Sequence, residues 1–131
     1  MATQLNGDKT FFLPFNQGSG GAGNVGGSGN PENPDGYNTS YLWENVLTKE
    51  SLLNIIQRFL HVSIEKKKVT KDGKDTYKTS KKLIFPRYHQ LDVVRKIISD
   101  VSQHGVGKPY LIQHSAGSGK SNSITWAAFQ L

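Results

Sequence analysis

The stretch that most constrains this chain is "PYLIQHSAGSGKSNSITWAAFQL", residues 109–131. A short apolar run, YLIQ, leads into a Gly-Ser loop, and the residues after the loop have helical character. The pattern predicts a buried parallel strand at 110–113, a phosphate-gripping loop over Ala116, Gly117, Ser118, Gly119, Lys120 and Ser121, and a helix opening inside that loop. The chemistry needs these residue types. Successive backbone N–H groups at a helix N-terminus form an anion nest, and Gly117 and Gly119 let phosphate oxygens approach without Cβ interference. Lys120 would set an ammonium on the β- and γ-phosphates, and the Ser121 hydroxyl would complete a Mg²⁺ shell. The plain alternative is a Gly-Ser turn with a surface lysine.

The full pattern G-x-x-x-x-G-K-[ST] asks for glycine at 114, where this chain has His114. Helicase-like ATPases tolerate such a departure, and Ala116 to Ser121 gives a compressed AGSGKS. A second feature points the same way. "FPRYHQLDVV", upstream of the apolar run, looks like the aromatic-and-glutamine signature that holds adenine in superfamily-two helicases. One amide gives Gln90 both a donor and an acceptor, which suits the N6/N7 edge of adenine. Arg87 or Tyr88 would stack on the base. Taken alone, this stretch is better read as an ordinary amphipathic helix with a polar residue at its start; the phosphate loop downstream turns the reading to adenine, with ATP and Mg²⁺ as the expected cofactors.

The rest of the chain is predicted by its punctuation. ATQL and KTFFLPF read as a β-hairpin across Asn6, Gly7 and Asp8. Residues 16–38, rich in Gly and Asn with three prolines, carry no periodicity and read as a loop. "SYLWENVLTKESLLNIIQRFLHV" predicts a helix capped by Ser40 or Thr48, with Leu52, Ile55, Ile56 and Phe59 on one face and His61 at its C-terminal end. Tyr41 and Trp43 would extend that core. In the next helix, opened by Pro86 and stopped at Gly105, Leu91, Val94, Ile97, Ile98 and Val101 form an apolar stripe. Ile124, Trp126, Ala127, Ala128 and Phe129 in the last helix are expected to stay unburied for want of sheet strands to pack on.

Charge narrows the partners. Sixteen basic against ten acidic residues give +6, a balance that suits a polyanion such as nucleic acid. Much of it lies in "EKKKVTKDGKDTYKTSKK", predicted as a hairpin turning at Asp72–Gly73. Lys66, Lys67, Lys68, Lys71 and Lys74 there are candidates for DNA-backbone contact; the plain reading is a solvated edge. With no cysteine, disulfides and thiolate metal sites are excluded. No stretch nears the roughly 18 apolar residues of a membrane span, and the start has no secretory h-region, so a cytoplasmic protein is expected.

The blocks "TFFLPFNQG", "GAGN", "NPDGY", "YLWENVL", "SLLNIIQRFLHV", "IFPRYHQLDVVRKI" and "YLIQHSAGSGKSNSITWAAFQL" together resemble the restriction subunit of type I restriction–modification enzymes. The resemblance implies a PD-(D/E)xK nuclease followed by two RecA-like motor domains, which pump and cut duplex DNA with ATP and Mg²⁺. The partners it implies are duplex DNA and the modification and specificity subunits. Residues 1–40 would be the tail of the nuclease and its Gly/Asn-rich loop, 41–82 a linker helix and Lys-rich hairpin, and 83–131 the opening helix–strand–loop–helix of an α/β motor domain. Lys120 and Ser121 match the first motor motif and Gln90 the adenine-reading glutamine. Neither the nuclease nor the ATPase catalytic set is complete, so this internal fragment is expected to be inactive alone. A different class stays open: a small basic nucleic-acid-binding or subunit-docking protein with a vestigial nucleotide loop.

Overall fold

The computed structural model describes residues 2–5, 7–71 and 74–131. Helices and strands are mixed: β1 (Ala2–Leu5), β2 (Phe11–Phe12), a π-helical turn (Leu42–Val46), α1 (Lys49–Arg58), β3 (His61–Lys71), β4 (Lys74–Ile84), α2 (Tyr88–His104) and α3 (Lys120–Gln130). They gather into two compact units, each built from two separated stretches: residues 1–14 with 60–85, and 15–59 with 86–131. These units interleave along the chain.

The first unit is a four-stranded antiparallel sheet in the order β2-β1-β4-β3. Both predicted hairpins form. Of the turn residues named for them, Asn6, Asp72 and Gly73 lie outside the described residues. The pairing of β3 with β4 runs from His61↔Ile84 to Lys71↔Lys74, while β1 meets β4 only at Gln4↔Ile84 and Leu5↔Leu83. Within this unit the remainder of β3–β4 is therefore a two-stranded ribbon. His61 opens β3 opposite Ile84 and is not the end of a helix.

The second unit is helical, with the 16–38 stretch as a loop, as its composition predicts. The helix expected over 40–62 is shorter. A π-turn ends at Val46, and α1 starts afresh behind Thr48, whose hydroxyl accepts the Ser51 N–H at 3.4 Å. Ile55 and Phe59 are buried, while Leu52 and Ile56 stay exposed. Leu91, Val94 and Ile97 bury the inner stripe of α2, which Gly105 closes in the left-handed region at φ +76°. Tyr41 is buried and donates its hydroxyl to the Phe15 carbonyl, whereas Trp43 is exposed.

Two expectations need correction. Residues 110–113 form no strand, and Leu111 is 95% exposed. A strand exists only where a neighbour takes its backbone N–H and C=O groups, and every strand among the described residues belongs to the antiparallel sheet of the first unit. Trp126, expected unburied, is 4% exposed and donates its indole N–H to the Phe59 carbonyl at 2.8 Å. Helices α1 and α2 supply the packing surface that strands would otherwise give. Ile124 and Phe129 do remain exposed.

Candidate nucleotide site

The site is the turn between residue 114 and the first turn of α3. Gly117 at φ +73° and Gly119 at φ +80° both lie in the left-handed region, and Gly119 is the N-cap of α3. This conformation is open to glycine at little cost and is what an inward-facing loop needs. The first N–H groups of a helix have no partner within the helix. Among the described residues, those of Gly119, Lys120 and Ser121 make no backbone hydrogen bond, while Ser118 N–H reaches the Ser115 carbonyl at 3.3 Å. The Ser118 hydroxyl is buried without a hydrogen-bond partner. Orphan donors grouped at the positive end of an 11-residue helix suit an anion.

Lys120 is exposed and folds back over the loop, donating to the carbonyls of His114 and Ser115, both at 3.0 Å. Its ammonium thus sits on the loop's own oxygens, which phosphate oxygens would replace. Ser121 lies in the first turn of α3 and is exposed. Among the described residues no group of three or more His, Cys, Asp or Glu side chains could hold a metal. A Mg²⁺ here would therefore take its oxygens from the nucleotide, from water and from Ser121, as this ion does at many phosphate sites. The loop residues fit the group on that basis.

Gln90 is brought to the loop, but not with a free amide. It is 3% exposed. Its Oε1 accepts the Arg87 N–H at 2.8 Å, and its Nε2 donates to the carbonyls of Gly119 at 2.8 Å and Ser118 at 3.3 Å. The predicted adenine reader is here a brace between the start of α2 and the phosphate loop. To read a base it would have to release Gly119. Arg87 is the N-cap of α2. Tyr88 packs edge-on against Phe15 at 5.5 Å and Tyr41 at 5.4 Å, so its ring belongs to the aromatic core.

Histidines complete the brace, and the sequence reading missed their role. His89 Nε2 is 2.9 Å from the Ser118 carbonyl, and its ring meets that of His114 edge-on at 4.8 Å. Desolvation, then the neighbouring His89 and Lys120, hold His114 below the usual imidazole pKa, against a smaller pull from Asp92. A cleft of about 650 Å³ opens beside this pair, lined among others by Asn24 and Val25 of the Gly/Asn-rich loop, Tyr88, Asp92, Lys96 and His114. The one available signal was the adjacency of His89 to Gln90; nothing in the composition of 16–38 places that loop on the cleft.

The candidate DNA lysines lie in the other unit. Lys66, Lys67 and Lys68 are exposed on β3; the side chains of Lys71 and Lys74 lie outside the described residues. Cross-strand partners share a face, so the register divides the block. Lys66, Lys68 and Lys81 fall on one face, and Lys67, Lys78 and Lys82 on the other. The lysines form no single-faced patch, because alternate residues of a strand point opposite ways.

Comparison with family models, curated proteins and solved structures finds no match for the chain.

Proposed function

We propose that the segment from residue 83 to 131 binds ATP with Mg²⁺ through the loop at Ala116–Ser121, as the opening of a RecA-like ATPase domain. We further propose that the chain is part of an ATP-dependent DNA-translocating and DNA-cleaving restriction subunit, acting on duplex DNA beside modification and specificity subunits. The observation that carries the nucleotide reading is the start of α3. There two left-handed glycines, unpartnered N–H groups and the Lys120 ammonium converge on one loop. The restriction-subunit reading rests on the sequence blocks alone.

Phosphoryl transfer also needs an oriented water and a charge-stabilising arginine beyond the phosphate grip. The site residues named here supply only the grip, so the chain is expected to bind ATP without turning it over. A titration of the 131-residue chain with a fluorescent ATP analogue and Mg²⁺ tests this, with turnover followed in parallel. Saturable binding, weakened at least tenfold by Lys120→Ala, with no turnover, is the expected result. Equal binding by the variant would remove the loop from the account, and turnover lost on Lys120→Ala would remove the claim of incomplete chemistry.

A second reading is favoured by one observation, the missing strand at 110–113. It makes the chain a small basic nucleic-acid-binding or docking protein with a vestigial loop. Duplex binding without any nucleotide binding would select it.

A further inference from the structure

The β3–β4 ribbon carries its charge in an arrangement that a solvated edge does not need. Lys68 is paired with Asp75 at 2.6 Å on one face, and Lys82 with Glu65 at 3.0 Å on the other. That leaves Lys66 and Lys81 on the first face and Lys67 and Lys78 on the second with no ion pair among the described residues. All four are exposed. Lys67 and Lys78 stand directly opposite each other in the register. Like charges in that position destabilise a strand pair, and an anion between or beside them would relieve the repulsion.

Symmetry between the faces distinguishes the anion. A flat acidic protein surface or an anionic membrane presents charge to one side only, and would leave two of these lysines facing water. A groove with phosphates on both walls meets both faces at once. The two-stranded part, from Ser63↔Lys82 to Lys71↔Lys74, is about 30 Å long at ~3.3 Å per residue. Sheets pack about 10 Å apart, which sets the ribbon's thickness, and the B-DNA major groove is about 12 Å wide and admits a two-stranded ribbon. The minor groove, about 6 Å wide, is too narrow. The major groove of A-form RNA is likewise deep and narrow.

We propose that the β3–β4 ribbon enters the major groove of duplex DNA, with Lys66 and Lys81 on one phosphate wall and Lys67 and Lys78 on the other. The choice of duplex as partner rests on the proposed function; the two-walled geometry rests on the register. Contacts go to phosphates, so binding is independent of base sequence.

The test compares the full chain with two double variants, Lys66→Gln/Lys81→Gln and Lys67→Gln/Lys78→Gln. Each is titrated against a mixed-sequence DNA duplex across a salt series. No nucleotide is added, so a failure of ATP binding leaves the result readable. Circular dichroism checks that each variant keeps its strands. Each phosphate contact contributes about 0.9 to the log–log salt slope, so each double variant should lower the slope by about 1.8. Matched reductions in both variants, with weaker binding to an RNA duplex of equal length, are expected. A change in only one variant, no change in either, RNA binding as tight as DNA, or binding to phosphatidylserine vesicles without DNA binding would each overturn the proposal.

Discussion

Gln90 spends both ends of its amide inside the chain, and that makes it the most informative single residue. Replacing it with alanine would leave the Arg87 N–H without its partner, while the Gly119 carbonyl would keep the Asn122 N–H. An unmet buried polar group costs about 1–3 kcal/mol, so Gln90→Ala should lower unfolding stability by that order, read by urea denaturation. An unchanged midpoint would mean that water replaces the amide and that no brace exists. Gly119 is bound to the same contact: a Cβ there would come 2.4 Å from Gln90 Nε2, at a φ that side chains rarely adopt. His114 adds a pH dependence. Its folded pKa is depressed, so below the ordinary imidazole value of about 6.5 the unfolded chain binds a proton that the folded chain refuses. The contribution of His114 to stability is thus present above that value and lost as pH falls through the folded pKa. Proton NMR should place the His114 titration midpoint below 6.5; a midpoint at or above it would contradict the part-buried setting beside His89 and Lys120.

At the scale of elements, α3 buries one aromatic residue, Trp126. Trp126 packs its ring 5.7 Å from that of Phe59 and bonds to the Phe59 carbonyl. Trp126→Ala should cost about 3–5 kcal/mol, the usual range for a buried large aromatic, and should loosen α3 and with it the phosphate loop. Trp126→Phe keeps the packing and loses the hydrogen bond, so it should cost about 1 kcal/mol. Denaturation of the two variants checks both values, and equal losses would mean that packing is not what anchors the helix. This element also marks the limit of what the sequence could tell. The periodicity of Leu91, Val94 and Ile97 identified α2 and its inner face, and the Asp-Gly dipeptide within the lysine block identified the hairpin. Both signals are local. The apolar run YLIQ looked like a strand because its residues suit one, but a strand is defined by its neighbour, which no local pattern reports. The same limit applies to the site: Lys120 and the two glycines were readable from spacing, while the clasp of Gln90 and His89 on Ser118 joins residues 28 and 29 positions apart.

For the whole molecule, the described residues split into a sheet unit with the basic ribbon and a helical unit with the loop at 116–121. Leu52, Leu53 and Ile56 on α1, with Ile124 and Phe129 on α3, leave the helical unit with exposed apolar side chains on both helices. Surfaces of this kind drive association, so the apparent mass in size-exclusion chromatography should rise with protein concentration. A constant monomer mass from micromolar to millimolar would contradict that. The division of labour between the units gives the most direct test of the claim that the loop at 116–121 grips phosphate. Nitrogen-15 NMR of the chain, titrated with Mg²⁺·ATP, reports each backbone N–H separately. The account predicts that Gly117, Gly119, Lys120 and Ser121 shift first and furthest, with the β3–β4 ribbon unmoved at physiological salt. Unshifted loop amides at saturating nucleotide, or shifts confined to the ribbon lysines, would contradict it.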